Sequence, residues 1–133
     1  MQKLFYLLLT ALSLVLLVQC NSDHKALNKK LNEMAADLNE SAPVMLDQYT
    51  RFDGASVSTG NIFQYRYTVL NTTNPDSLVE SGVQALQDNI RNEFSTNPQL
   101  RVFKENKVVI KYVYMDEHNR TVRSLQVNPE DYQ

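Results

Sequence analysis

Apolar residues recur at Leu27, Leu31, Met34 and Leu38, spacings that place them on one face of a helix over residues 22–41. Lys25, Lys29, Lys30, Asp37 and Asn39 fall away from that face. Ser22 and Asp23 suit the start of this helix, and Pro43 ends it. The period then shortens. Val44, Leu46 and Phe52 share one parity and Met45 and Tyr49 the other, which predicts a strand over 44–55, with Asp53-Gly54 read as the start of a turn. A small polar loop follows, Ala55 to Gly60. Over 61–70 the alternation is cleaner: Phe63, Tyr65, Tyr67 and Val69 interleave with Gln64, Arg66 and Thr68. These two strands read as a hairpin.

The second half repeats the order. Asn74 is a helix cap and Pro75 fits the first helical position, so a helix runs from there to about Phe94. Its apolar stripe is Leu78, Val79, Val83, Leu86, Ile90 and Phe94, with Glu80, Gln84, Gln87, Asp88 and Arg91 toward water. Gly82 weakens it by about 1 kcal/mol relative to Ala, and is expected to allow close approach to a strand. Asn97-Pro98 breaks the chain, and Gln99 to Phe103 predicts a short helical turn with Leu100 and Phe103 inward. Residues 107–115, KVVIKYVYM, are the strongest strand signal, with Lys111 the one charge inside it after the leading Lys107. Asp116-Glu117-His118-Asn119 reads as a hairpin turn, 120–127 as the last strand, and 128–133 as a polar tail.

The fold class is therefore α+β, in the order α-β-β-α-β-β: a mostly antiparallel four-stranded sheet covered by two helices. A sheet of this kind leaves its other face to water or to a partner. Tyr49, Tyr65, Tyr67, Tyr112 and Tyr114 lie in or beside the strands. They either line the core under the helices or form an exposed patch for binding. The first helix likewise either covers the sheet or serves as a tether or partner-binding element.

The leader sets the location. Lys3 precedes an apolar run from Leu4 to Val18, too short for a span of about 20 residues and suited to a secretory signal. Leu17-Val18-Gln19-Cys20 resembles the bacterial lipobox, although Gln19 stands where Gly, Ala or Ser is usual. That resemblance implies a lipoprotein signal peptide over 1–19, a single domain over 20–133, and Cys20 as the lipidated first residue. Asn21 after it favours the outer membrane over the inner one. The alternatives are an ordinary cut after Cys20, or an uncut anchor.

Charge and composition narrow the chemistry. The chain has 133 residues, with 13 Lys and Arg against 15 Asp and Glu, so no basic field exists to neutralise a nucleic acid. Cys20 is the one cysteine, which excludes an intrachain disulfide and a cysteine zinc cage. Three glycines exclude a Gly-rich phosphate loop. His118 sits beside Asp116 and Glu117 at a predicted hairpin tip, where neighbouring side chains do not converge on a metal without a further ligand. His24 lies near the mature N-terminus. Neither belongs to a nucleophile–base motif. No catalytic, cofactor-binding or metal site is expected, and the protein is not expected to be an enzyme. The sequons at Asn39, Asn71 and Asn119 are what chance produces among thirteen Asn.

Arg91-Asn-Glu-Phe-Ser-Thr-Asn-Pro98, Leu100 and the stretch KVVIKYVYMDEHNRTVRSLQVNPEDY resemble the C-terminal half of small bacterial envelope lipoproteins, including the α/β class of type II secretion pilotins. Pro43-Val-Met-Leu-Asp-Gln-Tyr-Thr-Arg-Phe-Asp53 and Tyr65-Arg-Tyr67 are similar to a related set of secreted proteins. Members of that group carry a cysteine near the end of the second helix and another near the C-terminus. Phe94-Ser95 and Tyr132 occupy those regions here, and the resemblance implies that packing of Phe94 stands in for the missing staple.

The resemblance implies a non-catalytic accessory role. A pilotin binds a short helical segment of an outer-membrane secretin in an apolar groove, which in this chain would lie between a helix and the sheet. The expected partners are the membrane, through lipid on Cys20, and a protein, with no nucleic acid. The expected location is the outer membrane facing the periplasm. The alternative is a soluble periplasmic inhibitor or immunity-type binding protein.

Overall fold

A computed structural model of the chain describes residues 22–132. The leader expected over 1–19 and Cys20 lie outside the described residues. Helix α1 covers residues 22–39. Leu31 and Ala35 are its buried positions, Leu27 and Met34 pack half-buried beside them, and Leu38 is 37% exposed. At the helix end the Asn39 side chain accepts from Ala55 N at 2.7 Å and donates to Ala55 O at 2.9 Å. Residue 54 therefore has to be glycine: its φ is +146°, and a Cβ there would lie 2.8 Å from Asn39 Oδ1.

The sheet has five strands, not the expected four, in the order β1 (Val44–Met45), β2 (Thr50–Ser58), β3 (Ile62–Val69), β4 (Ile110–Asp116), β5 (Thr121–Val127). The extra strand comes from a reversal inside the segment expected to be continuous. Asp47 Oδ1 accepts from the backbone N–H of Tyr49 at 2.7 Å and Thr50 at 2.8 Å, turning the chain so that Val44 pairs with Phe52. These bonds, that of Tyr49 foremost, hold the Asp47 carboxyl below the ordinary carboxylate range. The expected loop over 55–60 is mostly strand: Ala55 to Ser58 continue β2 against β3 after a bulge between Phe52 and Gly54.

Three strand pairs are antiparallel, but the central pair, β3 with β4, is parallel, with Phe63 opposite Ile110. Helix α2 (Pro75–Thr96) lies in the crossover that such a pair needs. Asn74 caps α2 by accepting from Ser77 N, and Pro75 holds the first helical position. A 3-10 turn (Pro98–Leu100) and helix α3 (Arg101–Glu105) follow, and they bury Phe103 completely against Phe63, ring centroids 5.1 Å apart at 85°. Both long helices share one core cluster with the apolar face of the sheet. Ser56, Arg66, Ser124 and Gln126, which point the other way, are exposed.

The expected polar tail forms a further helical turn, α4 (Pro129–Tyr132), with Asn128 N donating to Asp131 Oδ2 at 2.8 Å. Tyr132 is buried and its hydroxyl donates to Val108 O at 2.6 Å. At the β4–β5 turn, Asp116 Oδ1 accepts from the N–H groups of His118 and Arg120. Arg120 donates from Nε to Asp116 at 2.9 Å and from its terminal nitrogens to Asp76 at 2.7 and 3.2 Å, tying the hairpin tip to the first turn of α2. These contacts lower the pKa of both carboxyls and raise that of the guanidinium.

Candidate functional site

The register of β3 and β4 places Tyr65 opposite Tyr112 and Tyr67 opposite Tyr114 on the helix-covered face. Parallel strands hold directly opposed side chains close, and the rings stack: Tyr65 on Tyr112 at 5.1 Å and 13°, Tyr67 on Tyr114 at 5.0 Å and 18°. Phe52 abuts the array at 5.6 Å from Tyr67. Of the two readings of the tyrosines, the structure combines parts of both. Tyr112 is buried, while Tyr65, Tyr67 and Tyr114 are half-buried.

Burial raises the Tyr65 hydroxyl to about 12. Burial first, and neighbouring tyrosines second, raise Tyr67 and Tyr112 as well. The hydroxyls are therefore neutral in any physiological setting. None of the four tyrosines has a hydroxyl partner among the described residues, and no partnerless side-chain oxygen there is fully buried. The hydroxyls consequently open outward, as sites for hydrogen bonds to something outside the chain.

They open into a groove. Three contiguous cavities of about 390, 270 and 730 Å³ run across the array. The first and second share Tyr67, Leu86 and Asn89; the second and third share Tyr65, Asn97 and Leu100. Helix α2 walls one side with Leu78, Val83 and Leu86. On the other side stand Leu46 of the β1–β2 turn at one end and Met34 and Leu38 of α1 at the other. Leu46 is 58% exposed, so the rim is apolar as well as the wall.

The apolar stripe of α2 thus divides. Val79, Ile90 and Phe94 are buried, whereas Leu78, Val83 and Leu86 are only half-buried and border the groove. Gly82 does not serve a close approach to a strand: a Cβ there would meet nothing within 4 Å. It borders the groove as an unfilled space. Sequence reasoning missed Asn89 and Glu93, which α2 places on the groove. The signal was present, since the apolar arc of α2 is wider than one sheet contact requires.

Of the singled-out residues, Asp116 is committed to the β4–β5 turn, and His118 and Glu117 are exposed beside it. His24 lies exposed at the start of α1, its carbonyl accepting from Asn61. Among the described residues no group of three His, Cys, Asp or Glu is arranged to hold a metal, and no helix is long and apolar enough to cross a membrane.

The fold is shared with a secreted protein and with two pilotins of known structure. A protein of Pseudomonas aeruginosa assigned as secreted superposes with a TM-score of 0.68 at 15% identity, over 81% of this chain and 94% of that one. EpsS, the pilotin of the Vibrio vulnificus type 2 secretion system, does so with 0.63 at 13% identity, over 85% and 97%. The type II secretion pilotin AspS of Vibrio cholerae gives 0.58 at 14%, over 84% and 97%. At these identities the likeness is one of fold, and the fold is that of the pilotin-like envelope proteins which the sequence resembles. The chain belongs to a domain family of unknown function, DUF8479, whose sequence model matches residues 26–124. No curated protein matches the chain in sequence.

Proposed function

We propose that this protein is a non-catalytic, protein-binding accessory of the bacterial cell envelope that seats a helical segment of its partner in the groove over the tyrosine array. The observation that carries this reading is the groove itself. It has apolar walls, an exposed apolar rim and a floor of hydroxyls with no partner among the described residues. A helix laid in such a groove buries its apolar face against the walls. The shared fold with two type II secretion pilotins supports the same reading. In it, residues 1–19 are a lipoprotein signal peptide, Cys20 carries the lipid, residues 20–133 form one domain, and the protein works at the periplasmic face of the outer membrane.

Two measurements test it. A photo-crosslinking residue at Leu86 in intact cells is expected to give one discrete envelope product, lost in Val83→Arg, while the same residue at Ser124 on the opposite sheet face gives none. Equal products from both faces, or none from Leu86, would count against the groove. The intact mass of the mature protein tests the anchor. Residues 20–133 plus diacylglyceryl and acyl groups is the expected result, and residues 21–133 without lipid would favour a soluble periplasmic binding protein.

A further inference from the structure

Glu93 lies on α2 beside the central cavity of the groove, which Tyr65 and Tyr112 floor. One of its carboxylate oxygens accepts from the Asn97 side chain at 3.3 Å, and no cation pairs with it among the described residues. Arg91, Arg101 and Lys104 have partners elsewhere, and Lys30 lines only the adjoining cavity. Arg91 stands 3.7 Å from Asp88, Arg101 is 3.9 Å from Glu105, and Lys104 Nζ donates to Phe94 O at 3.4 Å. No Lys or Arg borders the central cavity, so Glu93 is its one charged group. Burial chiefly, then the neighbouring tyrosines and last Glu93, raises the pKa of Tyr112, so the charge of Glu93 is felt at the floor.

Glu93 is exposed at the rim of this cavity, and an exposed carboxylate with no counter-ion among the described residues, over hydroxyls with no partner there and beside apolar walls, is complementary to a cation carried on an apolar surface. An ammonium or guanidinium brings several donors and no acceptor, and it would satisfy the carboxylate and the hydroxyl oxygens together. A single carboxylate is too few ligands for a divalent metal. We propose that the segment seated in the groove presents a lysine or arginine, set within its apolar stripe, to Glu93 and the hydroxyls of Tyr65 and Tyr112. A like-charged residue there would be rejected, so Glu93 selects among helices that the apolar walls alone would accept equally.

This inference rests on reading the groove as the seat of a helix, and its test separates the two. The probes are three synthetic amphipathic helices of about five turns with the same leucine stripe. They differ only at the centre of the stripe, which is Arg, Gln or Glu. Each is titrated into the purified protein while the ring signals of Tyr65 and Tyr112 and the methyl signals of Leu86 are followed. The Arg helix is expected to bind about tenfold more tightly than the Gln helix, with the Glu helix weakest. Glu93→Gln should abolish that preference without weakening the Gln helix, and Glu93→Lys should reverse it. Equal groove shifts from all three helices would overturn the cation and leave the groove standing. No groove shifts from any of them would count against the groove itself, and the cation would fall with it.

Discussion

The ring of Phe94, near the end of α2, stacks on the ring of Tyr132 in the terminal turn, centroids 4.3 Å apart and 25° between planes. Phe103 closes on Phe94 from another side at 6.0 Å. The stack occupies the two regions where the resemblance to pilotin-like lipoproteins leads one to expect a cysteine pair. It joins the same two parts of the chain by packing instead of by a covalent bond.

Phe94→Ala is expected to cost about 3–5 kcal/mol, as for other buried aromatic truncations. Tyr132→Phe keeps the stack but removes the hydroxyl from Val108 O, and should cost about 1 kcal/mol. A double-mutant cycle of Phe94→Leu with Tyr132→Leu should return a coupling of about 0.5–1.5 kcal/mol. Urea unfolding reads all three, and additive single effects would show that the stack is only coincident burial.

Alkaline pH should unfold the protein through its tyrosine array. The folded pKa of Tyr65 is about 12, and those of Tyr67, Tyr112 and Tyr114 are raised as well, chiefly by burial. An unfolded tyrosine titrates near about 10. Folding therefore favours the neutral hydroxyl, and this contribution is fully present below about pH 10 and lost as pH rises through the folded values. The expected profile is flat through neutral pH and falls above about 10, with a shallower fall in Tyr112→Phe. A Tyr112→Phe profile that superposes on the wild type would refute the assignment.

Acid acts on a different place. Asp116 is held below its ordinary value first by the N–H of Arg120, and Asp76 first by the Arg120 side chain. Their contribution is present above the ordinary carboxyl pKa of 3.8 and is lost as pH falls through the folded values. Asp116→Asn should thus lower the urea midpoint at about pH 7, and the gap from wild type should close by about pH 2. A gap that persists in acid would assign the loss to the turn's hydrogen bonds and not to charge.

Gly82 predicts opposite effects on stability and on binding. Inside a helix, with open space where its Cβ would be, Gly82→Ala should stabilise by about 0.5–1 kcal/mol. It also adds a methyl to the groove wall, so partner capture should weaken while the melting temperature rises. A variant that is more stable and binds unchanged would place the partner away from this part of α2.

Most of the fold is legible in the amino-acid order wherever the signal is local. Pro75 after a capping Asn74 marks the start of α2 correctly, and the alternation from Phe63 to Val69 marks β3. Three features escape because their causes lie elsewhere in the chain. The reversal between Met45 and Thr50 depends on one carboxylate turning to its own backbone, which periodicity does not register. The β2 extension through Ser58 is built of small polar residues held by pairing with β3. The terminal turn looks polar because its one buried residue, Tyr132, is anchored by Phe94 and Val108. For the groove, the tyrosines are legible as a set on one face. Their depth is not, since it depends on how far apart the flanking elements stand.

The parallel pairing of β3 with β4 also bears on the order of folding. Each hairpin closes over a short loop, but the central pair joins residue 63 to residue 110 across α2, a non-local closure that costs more chain entropy. The tyrosine array exists only across that pair. A chain that has made both hairpins but not this central pairing therefore lacks the tyrosine floor, so on the proposed reading of the groove only the fully paired sheet offers a seat to a partner.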